Sequence, residues 1–185
     1  MKNHLLLRRI TACALMTALL AVCAWISVPW LVPITLQTFA VFAALFLLGG
    51  KWGTLAIGMY LVMGALGLPV FSGFRGGFGV LAGATGGYLF GFLLTGLLYW
   101  GLSRLHIPAP VCAALGLFLV YAVGTAWFVL VYLQGGKDVT VLYVLSQCVF
   151  PFIFPDAVKL AGAYLIARKI QPRLGFDTGV RKAAE

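Results

Sequence analysis

Apolar runs of bilayer length follow one another from residue 10 to residue 170, separated by little more than proline and glycine. A helix needs about 20 predominantly apolar residues to cross a hydrocarbon core about 30 Å thick. The runs here are too long for the buried helices of a water-soluble core, which leaves the bilayer as solvent. Charge content agrees. Of 185 residues, 63% are hydrophobic and 9% charged, against about 25% charged in a typical soluble domain. So few charges cannot cover a water-facing surface.

Breaker residues divide the chain into six spans, near 10–28, 36–48, 53–68, 85–105, 111–133 and 141–170. Pro29 and Pro33 end the first, Gly49-Gly50 the second, Pro69 the third, Pro108 and Pro110 the fourth, and Gly135-Gly136 the fifth. Pro151 and Pro155 interrupt the last, which predicts a kink or break there, because proline removes an amide donor. The result is one all-α transmembrane domain over residues 1–185. It has an N-terminal tail at 1–9 and a polar, loose C-terminal tail at 171–185. The first run is read as a retained span and not as a cleaved leader: hydrophobicity continues past Cys23 through Trp25 and Ile26, and Val22 is large for a residue before a cleaved bond.

The basic residues orient the domain. With six spans both termini share a side, and that side collects Lys2, Arg8, Arg9, Lys51, Arg104, Arg168, Lys169, Arg173, Arg181 and Lys182. The other side holds Arg75 and Lys137. Positive charge accumulates on the cytoplasmic side, so both termini are expected there. The net charge of +9 is spread over span ends and tails and forms no basic stripe, which argues against a nucleic-acid partner.

Residues 69–87 are too apolar for a wet loop and too rich in glycine for a stable helix. Irregular backbone at membrane depth is tolerated where protein or a solvated cavity covers it. This third loop and the uncharged first loop, 29–38, fall on the same outer side, so together they predict a cap over a ligand pocket.

Chemistry concentrates in few residues. Asp156 and Lys159 lie three apart in an otherwise apolar span and share a helix face. Each is expensive in hydrocarbon, by about 2.5–3.5 kcal/mol on insertion scales. Either they neutralise one another for packing, or they face a cavity, with Asp156 accepting N–H bonds and Lys159 donating to a carbonyl or carboxylate. Arg75 offers the planar fork that clamps a carboxylate, or else it meets a lipid headgroup. Gln37, Thr35, Thr38, Tyr88, Tyr60 and Gln147 supply neutral polar groups, as suited to helix–helix hydrogen bonds as to ligand contacts. The rings of Trp25, Trp30, Phe71, Phe74, Phe78 and Trp127 fit an interfacial belt or a pocket wall.

Small residues recur four apart at Ala14/Ala18, Gly83/Gly87/Gly91, Ala122/Ala126 and Ala157/Ala161, a spacing that lets helices approach closely. The cysteines Cys13, Cys23, Cys112 and Cys148 form no metal-ligand or redox pattern and read as small hydrophobes. No phosphate-binding loop, carboxylate cluster or nucleophile–histidine–acid set is present, so the sequence offers little for an enzyme, a metal or a cofactor.

Five segments together resemble the BioY family, the biotin-specific substrate-binding (S) subunits of energy-coupling-factor (ECF) transporters. They are Val32-Pro33-Ile34-Thr35-Leu36-Gln37-Thr38, Gly67-Leu68-Pro69-Val70-Phe71, Arg75-Gly76-Gly77, Thr85-Gly86-Gly87-Tyr88 and Pro155-Asp156-Ala157-Val158-Lys159. The resemblance runs over 6–170. Two departures are Ala84, where the family pattern has proline, and Pro155, where it has glycine. The resemblance implies a six-helix fold in a bacterial cytoplasmic membrane, with cytoplasmic termini and biotin bound under loops one and three. Asp156 and Lys159 match the family's polar ligand pair and Arg75 its loop arginine. Thr35, Gln37, Gly83 and Tyr88 complete the expected ligand set. Ala14 and Ala18 match the strip that docks on a shared transmembrane coupling protein (T component), itself driven by two ATPases. Self-association stays open. The competing readings are a subunit of the same fold for another vitamin, an integral membrane enzyme of lipid or cell-wall chemistry, and a purely structural subunit.

Overall fold

The computed structural model describes residues 2–136 and 140–176. Its elements are α1 (Lys2–Trp25), the short strands β1 (Ser27–Val28) and β2 (Ile34–Thr35), α2 (Gln37–Ala65), α3 (Phe78–Ala82), α4 (Gly86–Arg104), α5 (Ala109–Gln134), α6 (Val141–Cys148) and α7 (Phe150–Leu174). Among the described residues, four stretches are long and apolar enough to cross a membrane: His4–Trp25, Gln37–Ala65, Ala109–Gln134 and Leu142–Leu174. Lys137, Arg181 and Lys182, used in the charge argument, lie outside the described residues.

The centre of the bundle is α2, apolar on every side and buried along most of its length. It is not one rod. Gly49 has φ 77° and ψ 171°, a left-handed conformation that glycine adopts without steric penalty, and the chain doubles back there. Gln37 and Tyr60, which a straight helix would hold about 35 Å apart, hydrogen-bond to one another at 3.0 Å. A Cβ at Gly53 would sit 2.9 Å from Leu45 Cα, so the two arms touch immediately beyond the reversal. The Gly49-Gly50 pair thus separates two antiparallel arms, as its position between spans two and three suggested.

Around α2 pack α1, α4 and α7, and α5 lies against α4. Glycine sets the α4–α5 spacing. A Cβ at Gly87 would run into Trp127, one at Gly91 would meet Val120, and one at Gly124 would enter the Tyr88 ring. Gly87 and Gly91 of the four-apart set therefore serve close helix approach inside the bundle, while Gly83 faces only its own local backbone.

Three boundaries differ from the sequence expectation. Helix α1 begins at Lys2, so residues expected as a tail are its first two turns; that stretch holds no glycine or proline, and Leu and Arg are good helix formers. The last span breaks at Val149 (φ −127°, ψ −59°), before Pro151. Pro151 falls in the first turn of α7, where a missing N–H is harmless, and α7 continues through Pro155 and Pro172. The stretch after Pro172 is anchored through Phe176: Gly175 caps α7 with φ 65°, and Phe176 is buried beside Cys13, Leu48 and Ala56. Its ring centre lies 5.7 Å from the Arg9 guanidinium. The start of α1, the reversal of α2 and the end of α7 therefore meet at one end of the bundle.

Candidate functional site

At the other end, the two loops and the helix ends beneath them enclose a cavity of about 70 Å³. The first loop contributes Val32, Pro33 and Thr35, held by the β1–β2 hairpin, in which Ser27 pairs with Thr35 and Val28 with Ile34. The third loop contributes Phe71, Ser72 and Arg75. Its shape follows from steric fit. Phe71 is buried against Gly64, where any side chain would overlap its ring, and stands edge-on to Tyr60 at 5.5 Å between centroids. The Phe71 amide donates to the Arg75 carbonyl (2.9 Å), closing a tight turn in which Phe74 adopts φ 56°. Trp25 Nε1 donates to the Pro69 carbonyl at 2.9 Å, and its ring stacks on Phe74 at 5.0 Å, so α1 braces the loop from outside.

One wall of the cavity is charged. Asp156, in the second turn of α7, is 2% exposed. Its Oδ1 accepts from Lys159 Nζ at 2.8 Å and its Oδ2 from the Tyr121 hydroxyl of α5 at 2.9 Å. The (i, i+3) spacing on a helix makes the ion pair, and Tyr121 reaches it from the neighbouring helix. All three side chains line the cavity. An ionised carboxylate has about four lone-pair sites, so Asp156 keeps acceptor capacity on each oxygen. Arg75, largely exposed, donates through Nε to the Ser72 carbonyl at 3.1 Å. That bond leaves its two terminal nitrogens, the pair that grips a carboxylate.

The lining that α2 supplies is neutral. Gln37 and Thr38, at the head of α2, are buried and line the cavity. The Gln37 backbone N–H donates to Thr35 Oγ1 at 3.2 Å, which joins the hairpin to α2. Tyr88 gives the cavity its ring, while its hydroxyl donates to the Cys148 carbonyl at 3.4 Å and lies 3.3 Å from Thr125 Oγ1. Phe92, Val120 and Phe152 supply apolar surface between the walls.

The structure thus gathers Asp156, Lys159, Arg75, Gln37, Thr35 and Tyr88 around one space. Gly83 stays outside it; its carbonyl accepts from Trp127 Nε1 at 2.9 Å, which fixes the approach to α4. Tyr60 and Gln147 do not line the cavity either. Ala14 and Ala18 lie together on the exposed face of α1, and Ala157 and Ala161 are exposed on α7. Tyr121 was not singled out from sequence. The sequence carries only half of its signal: a phenol in an apolar helix needs a polar partner, but α5 also holds Tyr132, and which of the two meets Asp156 depends on how the helices cross.

The chain as a whole is similar to known proteins. The BioY family profile matches residues 1–176. A protein of Thermotoga maritima described as biotin transporter BioY is 40% identical over 174 residues, covering 89% of this chain and 96% of that one. A probable biotin transporter BioY of Pyrococcus horikoshii is also 40% identical, over 165 residues, with the same coverage. Among solved structures, the S-component for biotin from an ECF-type ABC transporter superposes with a TM-score of 0.80 at 29% identity, over 93% of this chain and 95% of that one.

Proposed function

This chain belongs to the BioY family, and from that premise we propose that it binds biotin in the capped cavity and carries it across the membrane as the substrate-specific subunit of an ECF-type transporter. It is a multi-pass membrane transporter and not an enzyme. The carrying observation is the Asp156–Lys159 pair, set in an otherwise apolar helix with Asp156 buried and both side chains lining a cavity. A pair with a packing role alone needs no open space beside it.

Biotin carries a cyclic urea with two N–H donors and one carbonyl, a thioether ring, and a tail ending in a carboxylate. Asp156 accepts from a ureido N–H. Arg75 takes the carboxylate through its terminal nitrogens, and Lys159 reaches either end. Tyr88, Phe92 and Phe152 face the apolar middle, while Thr35 and Gln37 supply neutral polar contacts. Gly83, outside the cavity, makes no ligand contact and instead holds Trp127 through its carbonyl. Counting the arms of α2 separately, α1, α2, α4, α5 and α7 make six crossings. The termini and the Gly49 reversal then lie on the cytoplasmic side and the two capping loops outside, in a bacterial cytoplasmic membrane. The strip of Ala14 and Ala18 is left free for a T component coupled to two ATPases; such small residues permit close helix approach.

Binding of radiolabelled biotin to the detergent-purified protein tests the site. Both Asp156→Ala and Arg75→Ala are expected to weaken it severely, and undiminished affinity in both removes the assignment. Uptake of labelled biotin by cells carrying the gene, with and without an energising module, tests the coupling.

A further inference from the structure

We propose that Tyr60 is a positioning residue that sets the polarity of Gln37, so that the Gln37 carbonyl receives a second ligand N–H opposite Asp156. The inference rests on the biotin reading above and deepens it.

A backbone carbonyl can only accept. Val70 presents its carbonyl to the Tyr60 hydroxyl at 3.1 Å, so Tyr60 must donate to it. A hydroxyl has one hydrogen, and it is spent on Val70, so toward Gln37 Tyr60 can only accept. The group at 3.0 Å from Tyr60 Oη is therefore the Gln37 amide nitrogen, Nε2. That fixes which way round the amide sits. Gln37 Oε1 accepts no hydrogen bond among the described residues, and Gln37 lines the cavity. Tyr60 is buried, does not itself line the cavity, and is held by Phe71 edge-on to its ring.

The ligand has a use for such an acceptor. The two N–H groups of a cyclic urea diverge on either side of its carbonyl, so one carboxylate reaches only one of them. Asp156 takes the first, and the second requires an acceptor from the facing wall. An amide free to flip would present donors for much of the time and repel that N–H. Locked by Tyr60, Gln37 presents an acceptor before the ligand arrives. A site built to bond an N–H discriminates strongly against an analogue lacking it, because its own polar group is then left unpaired.

The test compares binding of biotin with binding of its two mono-N-methyl ureido derivatives, by titration calorimetry on the detergent-purified protein. Wild-type protein is expected to reject both derivatives, one through Asp156 and one through Gln37. Gln37→Met, which keeps length but removes the acceptor, is expected to lose about tenfold in biotin affinity and to accept one of the derivatives nearly as well as biotin. Tyr60→Phe is expected to relax selectivity toward that same derivative, with no further relaxation when the two substitutions are combined. A selectivity ratio unchanged in Gln37→Met overturns the acceptor, whether or not Tyr60→Phe folds. A ratio changed in Gln37→Met and unchanged in Tyr60→Phe overturns the positioning role. Failure of wild-type protein to bind biotin at all would instead remove the reading on which the inference rests.

Discussion

The two walls of the cavity solve the same problem by different means. On the α7 wall a buried carboxylate is held by two donors, Lys159 at 2.8 Å and Tyr121 at 2.9 Å. On the α2 wall a neutral amide is held by one donor–acceptor relay through Tyr60 to Val70. The charged wall is strong and costly, since ions at membrane depth are tolerated only when paired. The neutral wall carries no ionic cost, but an amide can turn over, so its direction has to be enforced from behind. Strength comes from charge on one side and selectivity from a fixed orientation on the other.

The sharpest way to break this contrast is Asp156→Ala. It removes the carboxylate and strands Lys159, and biotin affinity measured with radiolabel should fall by about 100-fold or more, charge-assisted bonds being the strong ones. Next in size is Lys159→Met, which strands the carboxylate. Thermal unfolding should show a loss of about 3 kcal/mol, the usual result of breaking one side of a buried pair. Asp156→Asn combined with Lys159→Met should recover most of that stability without recovering binding; a double variant as unstable as the single one would mean the pair is not the source of the effect. Arg75→Lys keeps charge but loses the two-pronged grip. It should weaken biotin about tenfold and leave binding of biotinamide, which lacks the carboxylate, nearly unchanged. Smallest is Tyr121→Phe. With Lys159 still in place, one lost hydrogen bond is worth about 1 kcal/mol, or roughly a fivefold loss of affinity.

Much of this architecture could be read from the residues, and the reasons for the gaps are physical. The reversal of α2 was legible because two adjacent glycines interrupt an apolar run. Asp156, Lys159 and Arg75 were legible because a charge in hydrocarbon demands an explanation. Tyr121 was not, because α5 is apolar all round. A helix in lipid shows no polar face to mark its inward side, so which of its aromatic residues meets Asp156 depends on how the helices cross. The break expected at Pro151 or Pro155 falls just ahead of them, at Val149, for a related reason. Proline draws attention, yet at a helix start it is harmless, and the residue that departs from helical geometry carries no breaker signature. The β1–β2 hairpin is two residues deep, too short for any alternation to announce it.

The doubling back at Gly49 has a consequence for transit. The arm of α2 that begins at the cavity with Gln37 reaches its reversal after only about 18 Å, well under the thickness of a hydrocarbon core of about 30 Å. A solute resting against Gln37 therefore has about 18 Å of helix, and not a full core thickness, between it and the reversal at the other end of the bundle. Delivery from there calls for a short displacement of the walls and not for a long continuous tunnel.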